Sequence, residues 1–215
     1  MKTDQLIDML STNLEPIKNG GQVGKAFAIA LVIGGAASFC LMLATVGMRT
    51  AASGGFHPAF LVLKLLFMLV LIAVGTALLA QLIRPGRDGR RLYKVIFLPV
   101  VLVGFAGVVA LASEPSSVAW RRMILGTQWA TCILCIPLFA IVPFAALIWA
   151  LRKGAPTNLT RTGAITGLVA GALGAAVYAF HCPDDSLPFI AIWYGAMVLL
   201  CAWIGARLGP WLLRW

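Results

Sequence analysis

"AFAIALVIGGAASFCLMLATVGM", residues 26–48, runs from Ala26 to Met48 without a charge. It is too long for the apolar core of a signal peptide and begins too far into the chain, so it reads as a retained membrane span. Five further apolar runs follow at about 58–83, 92–112, 123–151, 163–180 and 188–206. Each approaches the ~20 residues that cross ~30 Å of hydrocarbon. The expected architecture is all-α: a six-helix membrane bundle over 26–215, preceded by a polar segment at 1–25. Composition agrees, since 61% of the 215 residues are hydrophobic and 11% are charged. A soluble domain carries about 25% charged residues.

The formal charge is +10, from seventeen Lys and Arg against seven Asp and Glu. The basic residues fall mainly in short loops, where they set orientation, so direct nucleic-acid binding is not expected. One set of loops holds Lys2, Lys18, Lys25, Arg84, Arg87, Arg90, Arg91, Lys94, Arg152, Lys153, Arg161, Arg207 and Arg214. The other holds only Arg49, Arg121 and Arg122. The positive-inside rule then puts both termini in the cytoplasm, with lipid around the spans.

Within the spans, Gly163, Gly167 and Gly171 form a doubled G-x-x-x-G, which predicts a close helix–helix seam. Pro137 and Pro143 remove backbone donors from the fourth span and favour a kink. Lys64 is the one basic residue well inside a span, away from its ends. Snorkelling to the outer surface is its simplest fate; the alternative is a partner among Glu114, Asp184 and Asp185.

The segment "FHCPDDSLPF", residues 180–189, interrupts the grease on the outer side. Asp184 and Asp185 read as a solvated turn after Pro183, in preference to general bases. Cys182 shares its half of the membrane with Cys132, and Cys135 lies one turn beyond Cys132. Three readings stand for these thiols. They are separate packed groups, or Cys132 and Cys182 form a disulfide, or they bind a soft metal ion with His181 and a carboxylate nearby. No cofactor is required by any motif. Cys40 and Cys201 read as packed small hydrophobes. C-I-L-C at 132–135 lacks the strand-to-helix context of a thioredoxin-like motif.

In the polar N-terminal segment, Leu6, Ile7, Leu10 and Leu14 recur at helical spacing, with Asp4, Asp8 and Glu15 on another stripe. Surface-lying membrane helices favour Lys and Arg on the polar face, whereas an acidic and apolar helix suits a basic, partly apolar protein groove. Partner binding is the preferred reading.

Taken together, "MKTDQLIDML", Lys64, "RPG" at 84–86, "WATC" at 129–132, "LRKGAP" at 151–156, "YAFHCPDDSLPF" at 178–189, "WY" at 193–194 and the terminal "LLRW" resemble the bacterial negative regulator of sigma F family. The resemblance implies a six-span, non-enzymatic anti-sigma factor. Its N-terminal segment would sequester an extracytoplasmic-function sigma factor, and two cysteines, matching Cys132 and Cys182, would govern release under metal or oxidative stress. The competing function is a small membrane thiol redox enzyme or metal transporter using the same thiols. A third is a scaffold subunit whose glycine seam binds another membrane protein.

Overall fold

The computed structural model describes residues 3, 20–49, 58–83, 90–154 and 156–214, whose regular structure is helical with no strand among them. The elements are α1 (Gly20–Thr45), α2 (Pro58–Leu82), α3 (Arg90–Ala112), a short α4 (Ser117–Leu125), α5 (Trp129–Leu151) and α6 (Leu159–Tyr178). A short α7 (Leu187–Phe189) passes through a π-helical turn (Ile190–Tyr194) into α8 (Gly195–Leu212). The N-terminal stripe of Leu6, Ile7, Leu10 and Leu14 lies outside the described residues, as does the basic loop at 84–89.

Five helical stretches are long and apolar enough to cross a membrane: Gly24–Thr45, Pro58–Leu82, Leu92–Ala112, Ser117–Leu151 and Leu187–Leu212. α6 differs from them in composition. At about 1.5 Å per residue its 20 residues are about 30 Å long. Fourteen of the twenty are buried, against α8, α5, α2 and α1. A helix sheathed by protein has little lipid to face, and small residues serve it better than Leu or Phe. The surrounding helices carry the opposite burden, exposing Val32, Leu66, Phe97, Phe105, Ile141 and Trp203. With no water between helices in a bilayer, close packing and satisfied polar groups hold such a bundle together.

The glycine seam has a second half. Gly163 and Gly167 of α6 face Gly205, Gly209 and Cys201 of α8, and Gly171 lies against Cys201 and Val198. A methyl group on Gly163 would run into the Gly205 carbonyl, and one on Gly167 into the Cys201 carbonyl. Gly174 serves α5 in the same way, where an added Cβ would sit 2.6 Å from the Ile136 carbonyl oxygen. Cys201 is therefore packed as expected, but Cys40 is exposed on the outside of α1. Its position on the helix turns it away from the neighbouring helices.

α5 runs through both of its prolines. Pro143 cannot donate to the carbonyl of Phe139, one turn earlier, and the buried Ser38 hydroxyl of α1 donates to that oxygen instead at 2.7 Å. Gly34 makes room for Pro143 at the same crossing. The fourth apolar run, expected to begin at 123, is divided. α4 ends at Leu125, Gly126 takes φ +57°, and α5 starts at Trp129.

Gly167→Leu is expected to destabilise the detergent-solubilised protein by about 1–3 kcal/mol, because backbone cannot yield to the added side chain. Gly24→Ala, where nothing lies within 4 Å of the new methyl, should leave stability unchanged or slightly raised. Thermal unfolding of the two variants side by side checks this.

Candidate functional site

The loop between α6 and α7 begins as a helix unwinds: the N–H groups of His181 and Cys182 both donate to the Tyr178 carbonyl, at 2.9 and 3.1 Å. Ser186 then caps α7, its hydroxyl accepting from the Phe189 N–H. Between these ends, nearly every polar group finds a partner on another element.

Asp185 turns inward. One carboxylate oxygen lies 2.8 Å from Lys64 Nζ and the other 3.1 Å from an Arg49 guanidinium nitrogen. All three side chains are at most 7% exposed. Lys64 Nζ also donates to the Cys182 carbonyl at 3.3 Å. Lys64 therefore does not snorkel. It sits within the second turn of α2, where the loop reaches it with an anion and a carbonyl, so its charge is met inside the protein.

Asp184 turns the other way. Its carboxylate accepts from the Thr127 N–H at 2.9 and 3.0 Å, the Thr127 hydroxyl at 3.0 Å and the Gln128 N–H at 2.7 Å. Those are unpaired donors at the start of α5, where an anion is also favoured by the helix dipole. Gly126 makes the approach feasible, since a Cβ there would lie 2.6 Å from the Asp184 carboxyl. The solvated turn expected for Asp184 and Asp185 is thus replaced by two clamps pulling in opposite directions. Turn-forming residues look alike in sequence whether the turn projects into water or folds back onto the protein.

His181 is committed as well. Its Nδ1 lies 3.0 Å from the Gly47 carbonyl, which can only accept, and its ring packs on Tyr178 at 5.7 Å between centroids. Ser186 Oγ donates to the Met123 carbonyl at 2.7 Å, and Trp193 Nε1 to that of Ile124 at 2.8 Å, tying down α4.

Cys182 and Cys132 meet beneath this clasp. Both are buried, at 1% and 0% exposure, and each thiol lies near enough to shift the ionisation of the other. The Tyr178 hydroxyl lies beside Cys132 and that of Tyr194 beside Cys182. Both hydroxyls are buried without a hydrogen-bond partner. Cys135 is buried one turn deeper on α5.

The loop thiol of Cys182 is pulled from the usual thiol range to about 7. The neighbouring Cys132 thiol is the largest cause, burial opposes it, and the Lys64 ammonium, the Asp184 N–H and the Tyr194 hydroxyl add to the lowering. Lowered thiol pKa is the ordinary route to a reactive cysteine. No group of three or more His, Cys, Asp and Glu is suitably placed to hold a metal ion among the described residues, and His181, Asp184 and Asp185 are already engaged. Two adjacent thiols remain, which suit a covalent link or a two-coordinate soft cation arriving from outside.

Sequence reasoning brought forward Cys132, Cys182, His181, Asp184, Asp185 and Lys64, and all six gather here. It missed Arg49, which it counted only as an orientation charge, and Tyr178, Tyr194 and Gly126. Arg49 had one available signal, being one of only three basic residues in the sparsely charged set of loops.

A family model described as "negative regulator of sigma F" matches residues 10–215. The chain is 30% identical over 217 residues to the anti-sigma-F factor NrsF of Caulobacter vibrioides, with both chains fully covered. It is 31% identical over 216 residues to the probable anti-sigma-F factor NrsF of Azospira oryzae, again with full coverage. No solved structure matches.

With Cys182 at about 7, its reaction with a small neutral thiol reagent should climb as pH rises through 7, since the thiolate forms above that value. Lys64→Met removes a stabilising cation, so the curve should move to higher pH and the rate at pH 7 should fall several-fold. Mass spectrometry of the modified peptide across pH 5–10 measures both.

Proposed function

The chain belongs to the negative regulator of sigma F family, and we propose that it is a membrane-anchored anti-sigma factor for an extracytoplasmic-function sigma factor. The observation that carries the stimulus-sensing part is the contact between Cys132 and Cys182 beneath the outer clasp. Residues 1–25 form the cytoplasmic grip, with Leu6, Ile7, Leu10 and Leu14 as the apolar stripe that enters a groove on the sigma factor. Residues 26–215 form the membrane domain, crossing six times if α6 is counted with the five apolar stretches. The positive-inside distribution of Lys and Arg supports cytoplasmic termini and an outward-facing 180–189 loop.

The stimulus is a thiol reaction. With a peroxide, the Cys182 thiolate attacks one oxygen, the O–O bond breaks, and the sulfur becomes a sulfenic acid as the other oxygen leaves as an alcohol or water. Cys132 then attacks that sulfur, an S–S bond forms, and water leaves. With a soft divalent cation, two S–metal bonds replace two S–H bonds and two protons are released. Either product joins the 180–186 loop to α5 more tightly than the thiol pair does. Only the difference between states matters for release. A tenfold loss of sigma-factor affinity requires about 1.4 kcal/mol.

Deleting residues 1–19 should abolish co-purification of the sigma factor while the membrane domain still accumulates. Retention at full affinity would refute the assigned grip. Serine at both Cys132 and Cys182 should preserve sequestration but flatten the response of a sigma-dependent reporter to peroxide and to cadmium. A response of normal size would remove the thiols from the mechanism.

A further inference from the structure

α1 is held at two places, and each hold leads to one of the two thiols. At its outer end, Gly47 takes φ +71°, and the N–H groups of Val46 and Gly47 both donate to the Met42 carbonyl. The chain thereby reverses beside the loop that bears Cys182. There the Gly47 carbonyl lies 3.0 Å from His181 Nδ1, and the Arg49 N–H donates to the Phe180 carbonyl at 3.1 Å. The Arg49 guanidinium lies 3.1 Å from Asp185 and 3.5 Å from the Cys182 carbonyl. Further along α1, Ser38 bonds the Phe139 carbonyl and Gly34 abuts Pro143. Both of those partners are on α5, about two and three turns beyond Cys132.

The other end of α1 begins at Gly20, directly after the segment that carries Leu6 to Leu14. Its 26 residues form one uninterrupted helix of about 39 Å. A hydrogen-bonded rod of this kind carries a displacement of its outer end to its inner end. α2, gripped through Lys64, leads from its two ends to the segments at 50–57 and 84–89 instead.

We infer that α1 is the element that transmits the state of the thiol pair across the membrane, and that Arg49 is the positioning residue that couples it to the sensing loop. Joining Cys182 to Cys132 moves the loop relative to α5, and α1, bonded to both, shifts with that movement. The inference rests on the sigma-factor reading only for what residues 1–19 hold. Transmission itself does not require a sigma factor. Its direction follows from the bonds present while the thiols are free. They stabilise the resting arrangement, so removing one selectively raises the population of the other arrangement.

The test uses the full chain in detergent micelles with its thiols reduced, and reads hydrogen exchange by mass spectrometry. Arg49→Met should speed exchange across residues 1–25 several-fold, although neither cysteine has reacted. Arg49→Lys should retain the resting pattern. His181→Phe, which removes only the bond to Gly47, provides a second probe if Arg49→Met accumulates poorly, and should act in the same direction to a smaller extent. Exchange at residues 1–25 that stays as in the unsubstituted chain, while residues 180–186 exchange faster, would overturn the inference and leave Arg49 a local brace. Sigma-factor retention by the same variants separates the two readings. Faster exchange with undiminished retention would defeat the sigma-factor reading and leave transmission standing. Unchanged exchange defeats transmission whatever the retention.

Discussion

Asp185 places a carboxylate where almost no water reaches it, between one cation from α2 and another from the segment that follows α1. The end of the bundle that carries the 180–189 loop depends on this arrangement. Charges buried in this way contribute little net stability over apolar residues of the same shape, but removing one partner costs about 3–5 kcal/mol because the others are stranded. Such a site is intolerant of partial assembly: α1, α2 and the 180–189 loop must arrive together. Asp184 extends the constraint to α5 by occupying the Thr127 and Gln128 donors just ahead of its first turn. Two adjacent aspartates thus tie the loop that bears Cys182 to α1, α2 and the start of α5, the helix that bears Cys132.

Below that clasp, the bundle is organised around the helix least suited to meeting lipid. α6 holds its neighbours through missing side chains, and the glycines of α8 answer those of α6 backbone to backbone. Close contact of this kind leaves α6 and α8 little room to adjust. α1 is anchored differently, through a hydroxyl on an orphaned carbonyl and a glycine against a proline. The contrast between a tight inner seam and a polar, articulated contact at α1 suits a scaffold in which one helix carries information while the others hold position.

Much of this could be read before any coordinates. Apolar runs of span length pointed to the five long apolar helices, because lipid imposes a length and a polarity that few other environments demand. The stripe of Gly163, Gly167 and Gly171 announced a seam, yet its partner, Cys201–Gly205–Gly209, went unrecognised because a G-x-x-x-G does not say what it packs against. The six polar residues of this site were found as types, and three of them, Lys64, Asp184 and Asp185, were first assigned to the wrong environment. Lys64 was expected to reach for water and is buried; the two aspartates were expected in water and are clamped. Both errors have one cause, since whether a loop folds back over its bundle depends on contacts distant in sequence. Gly126 illustrates it, being an unremarkable residue until Asp184 needs the space its side chain would fill.

The central claim is geometric: the thiol clasp and the N-terminal segment lie on opposite sides of one membrane. A membrane-impermeant maleimide applied to intact spheroplasts tests it in a chain whose native cysteines are replaced by alanine. Single cysteines are introduced at Ser116, on the exposed connection between α3 and α4, and at Ser11. The account predicts that Ser116→Cys reacts from outside and that Ser11→Cys reacts only after the membrane is broken. Labelling of both positions in intact cells, or of neither, would contradict it.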